Sequence, residues 1–134
     1  MNRTLTWLLL PGWIVCLFSA WTNAADVQQE VAEILKATGI RGGLVVHLNC
    51  GDGRLTAALG MNERLVIHGI AETPEDAAEA REHIKSLGLY GRVSVKEYSG
   101  SDLPYIDNLV NLLICDEPSD VPMREIMRVL VPNG

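Results

Sequence analysis

The chain has 134 residues and a formal net charge of −6, enough for one small domain. An acidic balance without a basic stripe argues against a nucleic-acid partner. None of the three cysteines belongs to a CxxC pair, and no Cys/His set has zinc spacing, so a metal module is not expected.

The first element is a leader rather than part of the fold. Met1-Asn2-Arg3 supplies one positive charge, and an apolar run follows from Leu5 to Trp21, broken only by Thr6, Pro11-Gly12 and Ser19. Thr22-Asn23-Ala24, with Ala25 next, completes the pattern of n-region, h-region and small-residue cleavage site. A cut after Ala24 or one residue later gives a secreted or periplasmic domain with no membrane contact. The alternative is an uncleaved anchor through residues 5–21, whose length approaches that of a spanning helix. Cys16 has no small residues before it, so a lipoprotein signal is not read. Loss of Arg3 takes the charge from −6 to −7.

Asp26 to Thr38 is expected as a helix, with Val27, Val31, Ile34 and Leu35 as one apolar stripe. Asp26 caps it with Gln29 three residues on, and Gly39 takes the C′ position. Leu44 to Leu48 is a nearly continuous apolar run, suited to a strand buried on both faces. A glycine-bearing turn follows, Asn49-Cys50-Gly51-Asp52-Gly53, then a short helix from Arg54 to Leu59. Leu65 to Ile70 is a second buried strand. Thr73 caps the next helix, with Pro74 at its first position and acids in its first turn. Ala77, Ala80, Ile84 and Leu87 form its inner face, and Gly88 closes it. Arg92 to Tyr98 alternates as a third strand, and Leu109 to Cys115 is a fourth. A helix is open between Ser101 and Asn108. Pro122 to Leu130 is a last helix, with Met123, Ile126, Met127 and Leu130 as its inner stripe. His47 and His68 lie in strand-like runs and read as packed strand histidines rather than ligands.

Strands alternating with helices predict an α/β fold with a parallel sheet, whose ligands bind at the carboxyl ends of the strands. The turn after the first strand is the natural site. Gly51 and Gly53 leave its backbone bare, and the next helix directs N–H groups at the same spot. The spacing is not the G-x-G-x-x-G of a pyrophosphate cradle.

Five segments in order carry a family resemblance. LVVHLNCGDGRLTAAL (44–59) resembles the first motif of class I S-adenosylmethionine (SAM) methyltransferases of the type 11 kind, hhDhGCGxGxhthxL, where h is apolar. HGIAETPE (68–75) is similar to their GhDhSPE, and YSGSDLP (98–104) to GDAxxLP. Residues 111–115 fall at their fourth strand, and MRVLVPNG (127–134) resembles RVLKPGG. The resemblance implies a Rossmann-like three-layer sandwich with a mainly parallel sheet of order 3-2-1-4-5. It would be incomplete at the C-terminus, so a continuation past Gly134 is expected.

The resemblance also implies SAM as cofactor, with His47, Asn49, Cys50, Gly51, Gly53, Ala71, Glu72, Ser99 and Asn111 as its binding positions. Several of these depart from the family's residues. His47 stands for the first-strand acid and Asn49 for the first glycine of the turn. Ala71 stands for the ribose-binding acid, with Glu72 adjacent, and Ser99 for the acid near the adenine amine. Asn111 replaces an Asp that often opens the fourth strand. Asp116 and Glu117, after that strand, are candidates for a general base, or merely a polar loop. In the implied strand order, Cys50 and Cys115 share an edge of the sheet, where a disulfide across the crevice or two free buried thiols are the alternatives.

Three functions follow. The first is methyl transfer from SAM to an acceptor that the sequence does not define. The second is a degenerate, non-catalytic module at the start of a larger secreted protein, for instance one with quinoprotein-like β-propeller repeats. The third is a crevice for another adenosyl or small polar ligand, in which His47 and Asn49 as donors would turn the preference from hydroxyl-rich toward anionic ligands.

Overall fold

The computed structural model describes residues 19–116 and 119–134. The apolar run up to Phe18, including Cys16, lies outside the described residues, as does Glu117.

The elements are α1 (Ser19–Thr38), β1 (Gly43–Leu48), α2 (Arg54–Leu59), β2 (Leu65–Ala71), α3 (Pro74–Ser86), β3 (Val93–Glu97), β4 (Leu112–Cys115) and α4 (Met123–Val129). All strand pairings are parallel, in the order β3-β2-β1-β4. This is the expected alternation and the expected order for the four strands described. Residues 101–108 form bends and turns, with no helix.

β1 is central, and its alternation serves two cores. Val45 faces the larger one with Ile67, Val93, Val95 and Ile114, packed against Val31 of α1, most of α2, and Ala77, Ala80 and Ile84 of α3. Val46 and Leu48 face the smaller one with Ile70, Leu103, Val110 and Val129. A strand with a helix layer on each face has no solvent side, which is why its sequence is a continuous apolar run.

Local chemistry sets the helix ends. Thr73 accepts the Asp76 N–H at 3.1 Å, with Pro74 at the first position of α3. Gly39 has φ +67° and donates its N–H to Leu35 O at 3.0 Å, closing α1.

Three expectations are corrected. Asp26 is not a cap: α1 runs through it from Ser19. Leu87 is exposed rather than on the inner face of α3, which consists of Ala77, Ala80 and Ile84. In α4 the stripe is rotated: Met123 and Met127 are 68% and 63% exposed, whereas Glu125 and Val129 are buried. Apolar periodicity fails there because the inward position is a carboxylate with dedicated partners.

Candidate functional site

The carboxyl ends of β1, β2 and β3 converge on a cleft of about 270 Å³. Leu48, Ile70, Leu103 and Val121 give it apolar walls. Asn49, Glu72, Ser99 and Asp120 give it polar ones, and Tyr98 stands at the β3 tip. Its position at the strand ends is the one expected for this class of sheet.

The segment after β3 is fixed without a helix. Tyr98 donates its backbone N–H to Ala71 O at 2.9 Å, and its hydroxyl bonds Asp102 O. Glu125 of α4 accepts the Leu103 N–H at 2.9 Å. Arg128 bonds both Glu125 oxygens, and donates to Tyr105 O at 2.9 Å, Leu103 O at 3.2 Å and Asp107 at 2.5 Å. Two α4 side chains thus satisfy backbone groups that a helix would have satisfied internally. Arg128 holds the Glu125 carboxyl down at about 2, and Glu125 and Asp107 in turn hold the guanidinium above its ordinary range. Tyr105 also bonds His68 Nδ1, its ring edge-on to the imidazole at 5.6 Å. Burial lowers His68, helped by Lys96.

Of the expected binding residues, Asn49, Glu72 and Ser99 line the cleft. Asn49 has φ +54°, a left-handed conformation that asparagine tolerates better than most residues. The glycine replacement there therefore keeps the turn's backbone shape.

The other positions do not line it. Ala71 is fully buried against the α3 side, because alternation along β2 turns Ile67, Gly69 and Ala71 toward the helices. The residue that reaches the cleft is Glu72. Cys50 packs into the larger core with its Sγ against Gly69, and burial pushes its thiol up to about 11. Gly53 has φ +76°, and a Cβ there would meet Ala80 Cβ at 2.7 Å. Its need for glycine comes from α3 crossing the turn. Gly51 (φ +50°) has open space around it. The floor of the cleft is thus Leu48 and Asn49 rather than the two glycines. Asn111 lies at the opposite end of the sheet, where its Oδ1 accepts the Leu44 N–H at 2.9 Å. It joins β4 to β1 and does not line this cleft.

No disulfide joins Cys50 to Cys115. Leu48 pairs with Cys115, but Cys50 is turned into the α1–α3 core while Cys115 is exposed. The two sulfurs belong to different faces of the sheet.

His47 is buried in β1 beneath α2, and both its nitrogens are engaged. Nδ1 lies 2.8 Å from Thr56 Oγ1 and Nε2 3.0 Å from Asp116 Oδ2. It is a packed strand histidine, and it does not enter the cleft as a donor. Glu72 and Asp120 stand on the walls of the cleft. The Thr56 link is not legible in the sequence, since nothing marks a helix threonine nine residues on as a partner. Among the described residues no group of three His, Cys, Asp or Glu side chains could hold a metal ion, and no helix is long and apolar enough to cross a membrane.

No protein-family model matches the chain. The methyltransferase GfsG of Streptomyces halstedii is 30% identical over 96 residues, which span 67% of this chain and 34% of GfsG. Among solved structures, the [4+2]-cyclase SpnF superposes with a TM-score of 0.69 at 26% identity, over 90% of this chain and 46% of SpnF. In sequence and in fold the chain is similar to SAM-dependent methyltransferases of the class I kind. A SAM-dependent methyltransferase from Aquifex aeolicus has a TM-score of 0.65 at 21% identity, over 81% of this chain and 68% of its own. At that identity the likeness speaks for the fold alone. The chain spans about a third of the length of the curated relative it matches. A cyclase on the same scaffold shows that the fold does not fix the reaction.

Proposed function

We propose that the cleft binds SAM and that this chain is the cofactor-binding part of a methyltransferase. The carrying observation is Glu72, a carboxylate on the cleft wall at the tip of β2, one residue beyond the buried Ala71. A carboxylate there can accept from the hydroxyls of a ribose, in bonds worth about 1.5–3 kcal/mol each. The residues fit the adenosyl group in kind. Leu48, Ile70, Leu103 and Val121 offer apolar surface, and Ser99 offers a hydroxyl to a polar ring edge. The acidic walls suit a cationic ligand.

SAM, when bound, supplies an activated methyl group, and a protein mainly orients the acceptor toward it. Here the apolar walls exclude water and Glu72 orients the ribose. Of the two carboxylates read as candidate general bases, Asp116 is the described one, just past the carboxyl end of β4 and bonded to His47. Titration of the chain with SAM by calorimetry tests the reading: micromolar to sub-millimolar binding is expected, and no heat at millimolar ligand removes it.

A degenerate, non-catalytic module is the second reading. The uncharged Ala71 and Ser99, in place of acids, favour it. The same titration separates the two. The apolar run up to Trp21 supports export to a secreted or periplasmic location, with cleavage after Ala24. N-terminal sequencing of the exported chain checks this, and an intact Met1 in a membrane fraction supports the anchor through residues 5–21 instead.

A further inference from the structure

The outer side of the helix layer carries a groove of about 520 Å³ that is separate from the cleft. It follows α2 between α1 and α3. Ala57 and Ala58 floor it, Ala24 and Val27 of α1 form one bank, and Leu87, just past α3, stands on the other. Met61 and Leu87 are 61% and 50% exposed on its margins. The periodicity of α3 assigns Leu87 to an inner face, so its stripe of apolar residues runs on from the core into this groove. The Arg54 guanidinium at the rim is drawn to Asp52 at 3.1 Å. The groove therefore asks for an apolar occupant rather than an anion.

The chain itself carries such an occupant next to the groove. The fourteen residues from Leu5 to Phe18 include no charged side chain. They join α1 at Ser19, five residues before Ala24, which is about 7.5 Å along the helix axis. Fourteen residues reach up to about 45 Å when extended, whereas Arg54 to Met61 covers about 10 Å of groove. Pro11-Gly12, in the middle of the run, is a turn signal that lets the chain reverse toward α2. The Ala24–Ala25 bond, where the leader would be cut, lies within α1. Nicking favours loop tips over helices, so a chain that folds before it is cut keeps the run.

We propose that the groove along α2 is the docking site of the chain's own apolar segment, residues 5–18, in the uncleaved chain. Docking removes two apolar surfaces from water at once, that of the run and that of Met61 and Leu87. The run is tethered at Ser19, so its concentration at the groove is set by the short connection rather than by the solution. Cleavage after Ala24 would take away the occupant together with part of one bank, and would leave the groove open to water.

The test uses the 134-residue chain with a photoreactive benzophenone side chain in place of Met61 or of Leu87. Both positions are exposed, so neither probe enters the core. After irradiation in dilute aqueous buffer, peptide mapping by mass spectrometry is expected to find each probe joined to residues 5–18. A mixture of heavy- and light-isotope chains is expected to place those links within single chains. Leu8→Asp together with Leu9→Asp is expected to lower the yield about tenfold, because a carboxylate resists burial in an apolar groove. A probe at Val66, exposed on the opposite face of the sheet, is expected to leave the run unlabelled. Four results overturn the proposal. Links between heavy and light chains make a second copy the occupant. Loss of the links on adding phosphatidylcholine vesicles makes a bilayer the seat of the run. Equal labelling from Val66 makes the contact nonspecific, and no link from Met61 or Leu87 leaves the groove without the run.

Discussion

Two glycines of one turn answer to different constraints, although in sequence they look equivalent. Gly53 is closed in by α3: a methyl group would sit 2.7 Å from Ala80 Cβ at a φ of +76°. Gly51 has the left-handed φ but open space. Gly51→Ala should cost only the conformational term, about 1–2 kcal/mol. Gly53→Ala should add overpacking of about 1–3 kcal/mol. Urea melts of the two variants check the order, and equal costs would show that α3 does not press on the turn. At the cleft, Glu72→Gln should lower affinity for SAM roughly tenfold without a change in melting temperature, because the side chain is exposed. Ala71→Asp, the substitution that the family motif suggests, should instead destabilise the fold, since it buries a carboxylate beside Ala77. Differential scanning fluorimetry separates the two effects, and a stable Ala71→Asp variant that gains SAM affinity would show that position 71 faces the ligand.

At the scale of elements, what the sequence makes legible is what local chemistry controls. Thr73-Pro74 and Gly39 mark helix ends correctly because capping involves residues within one turn. The buried strands show as apolar runs because both faces of the sheet are covered. The inward face of α4 is not legible, because Glu125 and Arg128 hold it through partners about twenty residues upstream. The Ala71-to-Glu72 shift is likewise hidden, because it depends on where β2 ends relative to its neighbours. The Glu125 network has a pH signature. Its carboxyl is held at about 2 in the fold, against an ordinary 4.5. A depressed folded value means that the stabilisation is present above about pH 4.5 and is lost as pH falls toward 2. The melting temperature of the unsubstituted chain should therefore fall toward that of Glu125→Gln as pH drops from about 5 to about 2.5. Parallel curves over that window would show that Glu125 does not couple the 98–110 segment to α4.

Across the whole molecule, the two faces of the sheet are unequal, and that inequality predicts how the fold opens. The α1–α3 face holds the larger core, drawing on three helices and all four strands. The other face holds the smaller one, and its helix layer is α4 with seven residues. β1 pairs with β2 along its full length, whereas β4 meets β1 over only four residues. Opening free energy follows buried apolar contact and the number of backbone bonds that must break together. Amides of Val45 to Leu48 and Ile67 to Ile70 should therefore exchange only with global unfolding. Those of Leu113 and Ile114, and of the 98–110 segment, should exchange earlier through a partial opening that leaves α1–α3 on the sheet. Hydrogen exchange read by mass spectrometry resolves this. The cleft straddles the boundary, with Asn49 and Glu72 on the slow side and Ser99, Leu103 and Val121 on the fast side. A ligand that bridges the two must slow the second group toward the first. If SAM slows exchange only within β1 and β2, the ligand does not use the β3 and 119–121 walls, and the binding site is confined to the part of the cleft floored by Leu48 and Asn49.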